Sequence, residues 1–536
     1  MKIAAIRSHR LYKPIMLGSA LLILIIALMI SYYMNRERNK TITSSAANTA
    51  EIRKATALKL NKDPDELSDK DFALITELSV GQMSRATELY DIKLLEKFVN
   101  LQELNLNYLK FPAGTIPKGM SYLEKTGIYD PSERNVFDLS PLKKLSELRK
   151  LDISKTPLKD FKPLVGLTKL ESLNLTNTQI SDIESLSGLA NLQILGLNRT
   201  PAFDLEPLRG LTNLHELSLI SIDISSLEPI KGLTNLQKLV IERTKVSDLV
   251  PIKGLINLQK LDIVFTPVAN LEPIKGLANL YDLSLISTDI SDLEPVRELI
   301  NLQAFVIQGT DISNLEPIKG LTNLQKLRIN YTQVSDLEPL RELTNLRELV
   351  IERTKVSDIE PLKGLVNLQT LDIKFAPVTN IEPLKGLTNL RVLSFLGQTN
   401  ISDLEPISGL TDLQKIVIAD AQISDIEPLR KLVNLQELNI SSNPVANLGP
   451  IKGLKNLQKL DIRRTQVSDL ETLRELTNLH ELYVGNTPVT NLEPIKGLTN
   501  LRTLNIVLCD KITEEQMKEL QKALPDLTIQ HTRGRM

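Results

Sequence analysis

A 22-residue repeat runs along most of this 536-residue chain, and it constrains the possible fold more than any other feature. One copy, from Asn235 to Ile256, reads NLQKLVIERTKVSDLVPIKGLI. The Leu that follows its Asn is taken as position 1, and Leu fills that position in seventeen copies: Leu148, Leu170, Leu192, Leu214, Leu236, Leu258, Leu280, Leu302, Leu324, Leu346, Leu368, Leu390, Leu413, Leu435, Leu457, Leu479 and Leu501. Spacing this regular indicates an array in which each repeat packs against its neighbours.

The apolar positions inside the repeat predict one short strand and one tight return. They are positions 1, 4, 6, 11, 14, 17 and 20, which in the quoted copy are Leu236, Leu239, Ile241, Val246, Leu249, Ile252 and Leu255. Alternation at positions 4 and 6 is typical of a strand with one buried face. The later period of three favours a 3₁₀ or extended segment, and a recurrent proline at position 16 argues against a long α-helix. Stacked copies therefore predict an α/β repeat solenoid with a parallel sheet.

This pattern, with return segments of the form SDLEPLKGLTNL, resembles the leucine-rich repeat proteins and most closely their internalin-like 22-residue class. The resemblance implies a horseshoe with a concave parallel β-sheet, a convex side of 3₁₀ or extended segments, and helical caps. It covers about four-fifths of the chain. It implies little about the partner, because such proteins change their ligands by changing exposed residues alone.

The polar positions that recur in the repeat are expected to be structural. Position 9 is usually Thr, where leucine-rich repeat proteins usually have Asn, and Asn443 takes this position in one copy. A short polar side chain there is expected to bond backbone groups left unpaired after the strand. The Asn before position 1 and the Ser-Asp pairs, such as Ser247-Asp248, are expected to serve the return turns in the same way.

The N-terminus predicts a membrane anchor. Residues 14–35 carry no charge and are long enough to cross a bilayer as a helix. Basic residues in the tail 1–13 slightly outweigh those that follow the segment, which favours a cytoplasmic N-terminus and extracytoplasmic repeats, periplasmic or at the cell surface. The sequence thus predicts one N-terminal transmembrane helix, a single-pass signal anchor. A cleaved signal peptide and a segment that does not enter a membrane are the alternatives.

The remaining segments predict the following domain order. The chain begins with the basic tail 1–13 and the anchor 14–35, followed by the linker 36–49, a helical N-terminal cap 50–78, irregular repeats 79–147, regular repeats 148–509, and a C-terminal cap and tail 510–536. Within the cap we expect a second helix in the segment 65–78, beginning at Ser68 as its N-cap. An aromatic-rich insertion at 108–140 is either a flap that contacts a partner or a local cluster that seals the junction between repeats.

The composition and motifs offer nothing for catalysis or cofactor binding. The sequence has no GxxxxGK[ST], HExxH, GxSxG or GxGxxG motif, and its four histidines are scattered. The single Cys509 excludes an internal disulfide and a Cys-based zinc site. We therefore expect no enzyme activity, no cofactor and no metal. A net charge of -1 gives no general attraction to nucleic acid, so none is expected as a partner.

The function is therefore expected to lie on positions 3, 5, 7 and 8, which project from the exposed side of the strands. Their charges are nearly balanced, and exposed aromatic and aliphatic groups beside Arg are typical of protein-binding surfaces. The sequence predicts a protein partner, of unknown identity, on the concave face. The predicted contact residues are Val240, Glu242, Arg243, Phe265, Arg328, Tyr331, Val350, Glu352, Arg353, Phe375, Arg463, Arg464 and Tyr483.

A longer period is superimposed on the array. LVIERTKVSD at 239–248 returns unchanged at 349–358, so five-repeat blocks have been copied together with their exposed residues. This indicates either a duplicated binding patch or a recent duplication that has not diverged. The leading hypothesis is a membrane-anchored, extracytoplasmic, non-catalytic binding protein (adhesin, receptor or scaffold). The alternative is a cytoplasm-facing scaffold or regulator of an enzyme such as a phosphatase.

Overall fold

A computed structural model describes residues 51–80, 92–107, 139–156, 158, 160–397 and 401–531. The predicted basic tail, anchor and linker, and all but the last two residues of the insertion at 108–140, lie outside these ranges. Across the ranges that are described, no helix is both long enough and apolar enough to cross a membrane.

The described residues form two compact units, divided between Leu214 and His215. They contain twenty strands, numbered β1 to β20 in chain order. The N-terminal unit has Glu77–Ser79, Glu103–Asn105, Lys150–Asp152, Ser172–Asn174 and Ile194–Gly196. The C-terminal unit has Glu216–Ile220, Lys238–Glu242, Lys260–Val264, Asp282–Ile286, Ala304–Val306, Lys326–Arg328, Glu348–Val350, Thr370–Asp372, Val392–Leu396, Lys415–Ala419, Glu437–Asn439, Lys459–Asp461, Glu481–Tyr483, Thr503–Asn505 and Thr528–Gln530.

Within each unit every strand pairs in parallel with the next strand along the chain. The buried leucines of position 4 lie directly opposite one another, as Leu239 and Leu261 do in β7 and β8. In the quoted repeat all seven inward positions are at most 1% exposed. Each unit is therefore a solenoid of strand-and-return repeats, which confirms the parallel sheet that the apolar spacing predicts.

The returns are short 3₁₀ helices, as the period of three and the recurrent proline predict. Proline occupies one of the first two positions of most of them, where its missing N–H breaks no hydrogen bond. They are Pro64–Glu66, Lys93–Lys97, Ser140–Lys144, Lys162–Leu164, Glu184–Leu186 and Glu206–Leu208 in the N-terminal unit. In the C-terminal unit they are Glu228–Ile230, Val250–Ile252, Glu272–Ile274, Glu294–Val296, Glu316–Ile318, Glu338–Leu340, Glu360–Leu362, Glu382–Leu384, Glu405–Ile407, Glu427–Lys431, Gly449–Gly453, Glu471–Glu475 and Glu493–Ile495.

The recurrent polar residues bond the backbone, as expected. The hydroxyl of Thr354 at position 9 donates to the carbonyl of Ile351 three residues earlier, at 2.8 Å, and most other threonines at this position do the same. Asn443 makes the equivalent bond through its amide at 3.1 Å. Asp248 accepts from the N–H that opens the next 3₁₀ helix, at 2.9 Å. These residues are explained by backbone satisfaction and need no further role.

The Asn before position 1 links one repeat to the preceding one. Its side-chain amide donates to the carbonyl two residues before the corresponding Leu, as Asn345 does to Thr322 at 2.9 Å. The same bond recurs at Asn257 and Asn389. The side chain therefore ties adjacent repeats together on the return side, where no strand ladder does so.

Helices flank the array in both units. Residues 51–60 are helical, a short helix spans Asp69–Ala73, and the last helix spans Glu514–Ala523. The second helix begins after its predicted N-cap Ser68 but ends before residue 78, because Glu77–Ser79 pairs with the next strand instead. The last helix begins with a capping box of Thr513 and Gln516.

Candidate binding surface on the exposed sheet face

Position 8 of the repeat, just after each strand, has a left-handed backbone in all seventeen copies. In the copies that are not glycine, φ lies between 50° and 62°. The N–H of this residue donates to the carbonyl of position 7 in the next repeat, as Phe265 does to Ile286 at 2.8 Å. That bond continues the parallel ladder past the strand and fixes the backbone in this region.

Several bulky side chains occupy this strained position. Glycine and asparagine adopt a left-handed backbone most readily, and the chain uses them there at Gly309 and Asn486. Phe265, Tyr331 and Phe375 adopt it at a steric cost, and their side chains are 47%, 46% and 42% exposed. Burial therefore does not explain these residues. The repeat itself fixes this backbone, so the feature to explain is the choice of bulky residues that core packing does not require, and such costly choices are typical of functional positions.

The first cluster of predicted contact residues lies around Arg243. Its guanidinium lies over the ring of Phe265, 4.8 Å from the ring centre, and pairs with the Glu242 carboxylate at 2.6 Å. Stacking on the ring holds the guanidinium flat against the surface, and the carboxylate neutralises its charge. The result is an exposed Arg–aromatic pair with little net charge.

The second cluster repeats this arrangement and extends it. Arg353 lies between two rings, 4.4 Å from the centre of Phe375 and 5.7 Å from that of Tyr331. Glu352 lies 3.9 Å from the guanidinium and accepts a hydrogen bond from the Tyr331 hydroxyl at 3.3 Å. The copied block thus builds the same Arg–aromatic pair twice, and Tyr331 gives the second cluster an additional ring.

The third cluster surrounds Tyr483. Arg463 and Lys459 both lie over this ring, at 5.3 and 5.4 Å from its centre. Asp461 accepts from Arg463 at 2.9 Å, and this bond raises the pKa of the guanidinium. The hydrogen bond from Lys459 holds the pKa of the Glu481 carboxyl below its usual range. Burial, and then the hydrogen bond that its hydroxyl donates to Glu481 at 2.9 Å, raise the pKa of Tyr483.

The remaining predicted residues lie on the same face but contribute less to these clusters. Val240 and Val350 are half-buried at position 5, opposite Asp262 and Asp372 of the next strands. Arg328 pairs with the Glu348 carboxylate of the neighbouring strand and contacts no aromatic ring that the structure describes. The predicted set therefore comprises three compact clusters and a few isolated positions.

Sequence reasoning missed the acidic partners and one cleft. Glu348 and Asp461 neutralise the predicted Arg328 and Arg463, and a sum of charges over the face does not reveal such pairing. A cleft of about 350 Å³ opens beside Arg464 and Gly485. The signal for the left-handed position was present, since Gly and Asn recur at position 8. Among the described residues, no group of three or more His, Cys, Asp or Glu could hold a metal ion.

Comparison with known proteins supports the repeat assignment. A family model described as leucine-rich repeats in two copies matches residues 146–188, 344–386 and 433–475. No curated protein sequence matches the chain.

Solved structures resemble it over most of its length. An internalin from Listeria monocytogenes, InlF, is 26% identical, with 68% of this chain and 94% of that chain covered and a TM-score of 0.52. A leucine-rich repeat protein of Leptospira interrogans is 22% identical, with 73% and 91% covered and a TM-score of 0.54. The functional domain of InlJ from Listeria monocytogenes, which includes a cysteine ladder, is 20% identical, with 68% and 75% covered and a TM-score of 0.51. The last two likenesses concern the fold alone.

Proposed function

We propose that this chain, which belongs to the leucine-rich repeat proteins of the internalin-like class, binds another protein through the exposed sheet face of residues 215–536 and performs no catalysis itself. One observation carries the proposal. Bulky aromatic and Arg side chains occupy a left-handed backbone position where Gly or Asn would cost less, and they remain exposed there. Core packing does not offset the steric cost of these side chains, so we infer that contact with a partner does.

The chemistry of the clusters favours a protein over other ligands. Rigid aromatic rings and stacked guanidinium groups supply large contact areas with little loss of side-chain entropy, and both are enriched at binding hot spots. Arg243 and Arg353 are already neutralised by adjacent Glu residues, which leaves these two clusters poorly suited to a polyanion. We therefore expect an interface with a protein surface of mixed polarity.

We further propose that residues 14–35 anchor the protein in a membrane as a single-pass helix, with the N-terminus cytoplasmic and the repeats extracytoplasmic. The support is the uncharged length of this segment and the basic residues before it. Protease added to intact cells should then remove the repeats. Complete protection of the repeats would contradict this topology and favour a cytoplasm-facing scaffold or regulator.

The binding face can be tested with a triple variant, Phe265→Asn, Tyr331→Asn and Phe375→Asn. Asn already fills position 8 at Asn486, so the left-handed backbone is kept while the rings are removed. The full chain is immobilised, and captured proteins are identified by mass spectrometry. A genuine partner should bind the variant at least about tenfold more weakly, the usual effect of losing hot-spot side chains.

A matched control removes exposed aliphatic groups from the return side. Ile256, Ile300 and Val366 all occupy position 21 and are exposed, and Thr is the native residue there in other repeats, for example Thr234. Substitution of all three by Thr should leave capture unchanged. If the control loses the partner and the ring variant keeps it, the binding surface is on the return side and the proposal is wrong.

A further inference from the structure

The block that carries Arg243 occurs a third time, with substitutions at positions 5, 7 and 10 that alter its charge. LVIERTKVSD at 239–248 and 349–358 corresponds to LDIRRTQVSD at 460–469. At position 7, Arg463 replaces the Glu of the first two copies. In the repeat that follows, Asn486 stands at position 8, where the earlier copies have Phe265 and Phe375. The third copy thus keeps the position-8 cation, Arg464, but lacks the Glu and the Phe that contact the corresponding Arg in the first two copies.

The losses of the Glu and the Phe leave Arg464 without the contacts that its counterparts have. Arg243 and Arg353 each pair with the preceding Glu and stack on the following Phe. Arg463 instead directs its guanidinium to Asp461 and Tyr483. In the part of the chain that the structure describes, the Arg464 side chain has no ion pair and no ring contact.

Arg464 borders an open cleft in the sheet face. The cleft has a volume of about 350 Å³, and its lining residues include Ser441, Ser442 and Asn486. Asn505 also lines it, but its side-chain amide donates to Gln530. No described residue that lines it carries a carboxylate. The cleft therefore combines one cation that lacks a counter-charge with several neutral hydrogen-bond donors.

Gly485 is required for the shape of this cleft. It occupies position 7, which carries a side chain in most copies, and it is buried. A Cβ added there would lie 2.8 Å from both Asn505 Oδ1 and the Val507 carbonyl oxygen, closer than real Cβ contacts. The backbone of the next repeat thus fills the space of the missing side chain. The short Asn486 leaves open the space where a phenyl ring stands in the earlier copies.

We propose that this cleft binds a side-chain carboxylate from an acidic segment of the protein partner, and that Arg464 pairs with it. A guanidinium presents parallel N–H groups that match the two oxygens of a carboxylate, and the hydroxyls and the Asn486 amide supply additional donors. Arg463 is already neutralised by Asp461, so the cleft offers a single net positive charge, which suits a carboxylate better than a doubly charged phosphate. This inference rests on the proposed function and names the chemistry of one part of the interface.

The test uses the full chain and an oligoglutamate peptide blocked at both ends and labelled for fluorescence anisotropy. The variant Arg464→Asn keeps a residue that accepts the left-handed backbone but removes the charge. It should weaken peptide binding by about tenfold, as expected for loss of a charge-assisted pair. The matched control, Arg199→Asn, makes the same substitution at the same left-handed repeat position, outside the proposed binding face, and should leave binding unchanged.

Four outcomes would overturn the proposal. Equal weakening by both variants would show general attraction to the charged surface, and no effect of Arg464→Asn would exclude this residue. Binding of an oligoglutamine peptide with a free C-terminus, without binding of the blocked oligoglutamate, would identify a chain terminus as the ligand. Capture of a partner that is lost in the triple ring variant but unaffected by Arg464→Asn would refute the carboxylate site and leave the proposed function standing.

Discussion

The same substitution should change local stability differently at two threonines that fill the same position of the repeat. Thr354 and Thr266 both fill position 9 and are buried. The Thr354 hydroxyl donates to the Ile351 carbonyl at 2.8 Å, whereas the Thr266 hydroxyl has no hydrogen-bond partner in the structure. Valine has nearly the same shape as threonine, so the substitution isolates the effect of the hydroxyl.

The expected magnitudes follow from these bonds. Thr354→Val removes a buried neutral hydrogen bond and should lower local stability by about 1 kcal/mol. Thr266→Val removes a buried hydroxyl that already lacks a partner, so the change in stability should be near zero or favourable by up to about 1 kcal/mol. The two variants should therefore differ by about 1–2 kcal/mol in the free energy of local opening.

Hydrogen exchange followed by mass spectrometry is the appropriate assay, because a repeat array opens locally and does not always unfold in one step. Peptides that cover the substituted repeat should exchange faster in Thr354→Val and no faster in Thr266→Val than in the unsubstituted chain. Equal acceleration in both variants would refute the reasoning, since it would mean that Thr266 is bonded as Thr354 is.

Three further perturbations follow from the geometry. Gly485→Ala should lower the melting temperature through a clash worth about 1–3 kcal/mol, whereas Gly254→Ala, with no atom near the added carbon, should be neutral. Asn345→Ala removes the amide bond to the preceding repeat and should speed local hydrogen exchange by an amount that corresponds to about 1 kcal/mol. The hydrogen bond from Lys62 lowers the pKa of the Asp71 carboxyl. The contribution of Asp71 to folding stability should therefore be present above the usual carboxyl pKa of 3.8 and be lost as the pH falls below that value. Thermal scans of Asp71→Asn should lack that dependence.

The core of the repeat could be predicted because it depends on spacing alone. Val246 and Leu249 are buried wherever the array is in register, whatever surrounds them. Asp248 could be assigned to the return turn because its partner lies two residues away in the chain. The helix expected in the segment 65–78 ends earlier than predicted, because Glu77–Ser79 pairs with a strand that begins at Glu103. Pairing with a distant strand overrode the local helical pattern.

The candidate surface could be predicted only in part, because its contacts run between repeats. The sequence identifies Arg353 and Phe375 as exposed, but their stacking depends on the left-handed backbone that turns both side chains to one side. That backbone is hard to infer from Phe or Arg, which rarely adopt it. The copies with Gly or Asn at this position, such as Gly309 and Asn486, carry the local signal, and they must be compared by position to be informative.

Local pairing also changes what the charge of this face means for a partner. A sum over the exposed positions treats every cation as available, yet Glu242 and Asp461 each neutralise an Arg beside them. The attraction that remains comes from groups without a counter-charge, of which Arg464 borders a cleft. Contacts at the Arg–aromatic clusters should therefore depend little on salt, while contacts in the cleft should weaken as ionic strength rises. A partner that uses both parts should lose the Arg464 contribution first, so the effect of Arg464→Asn should shrink at high salt and that of the ring variant should persist.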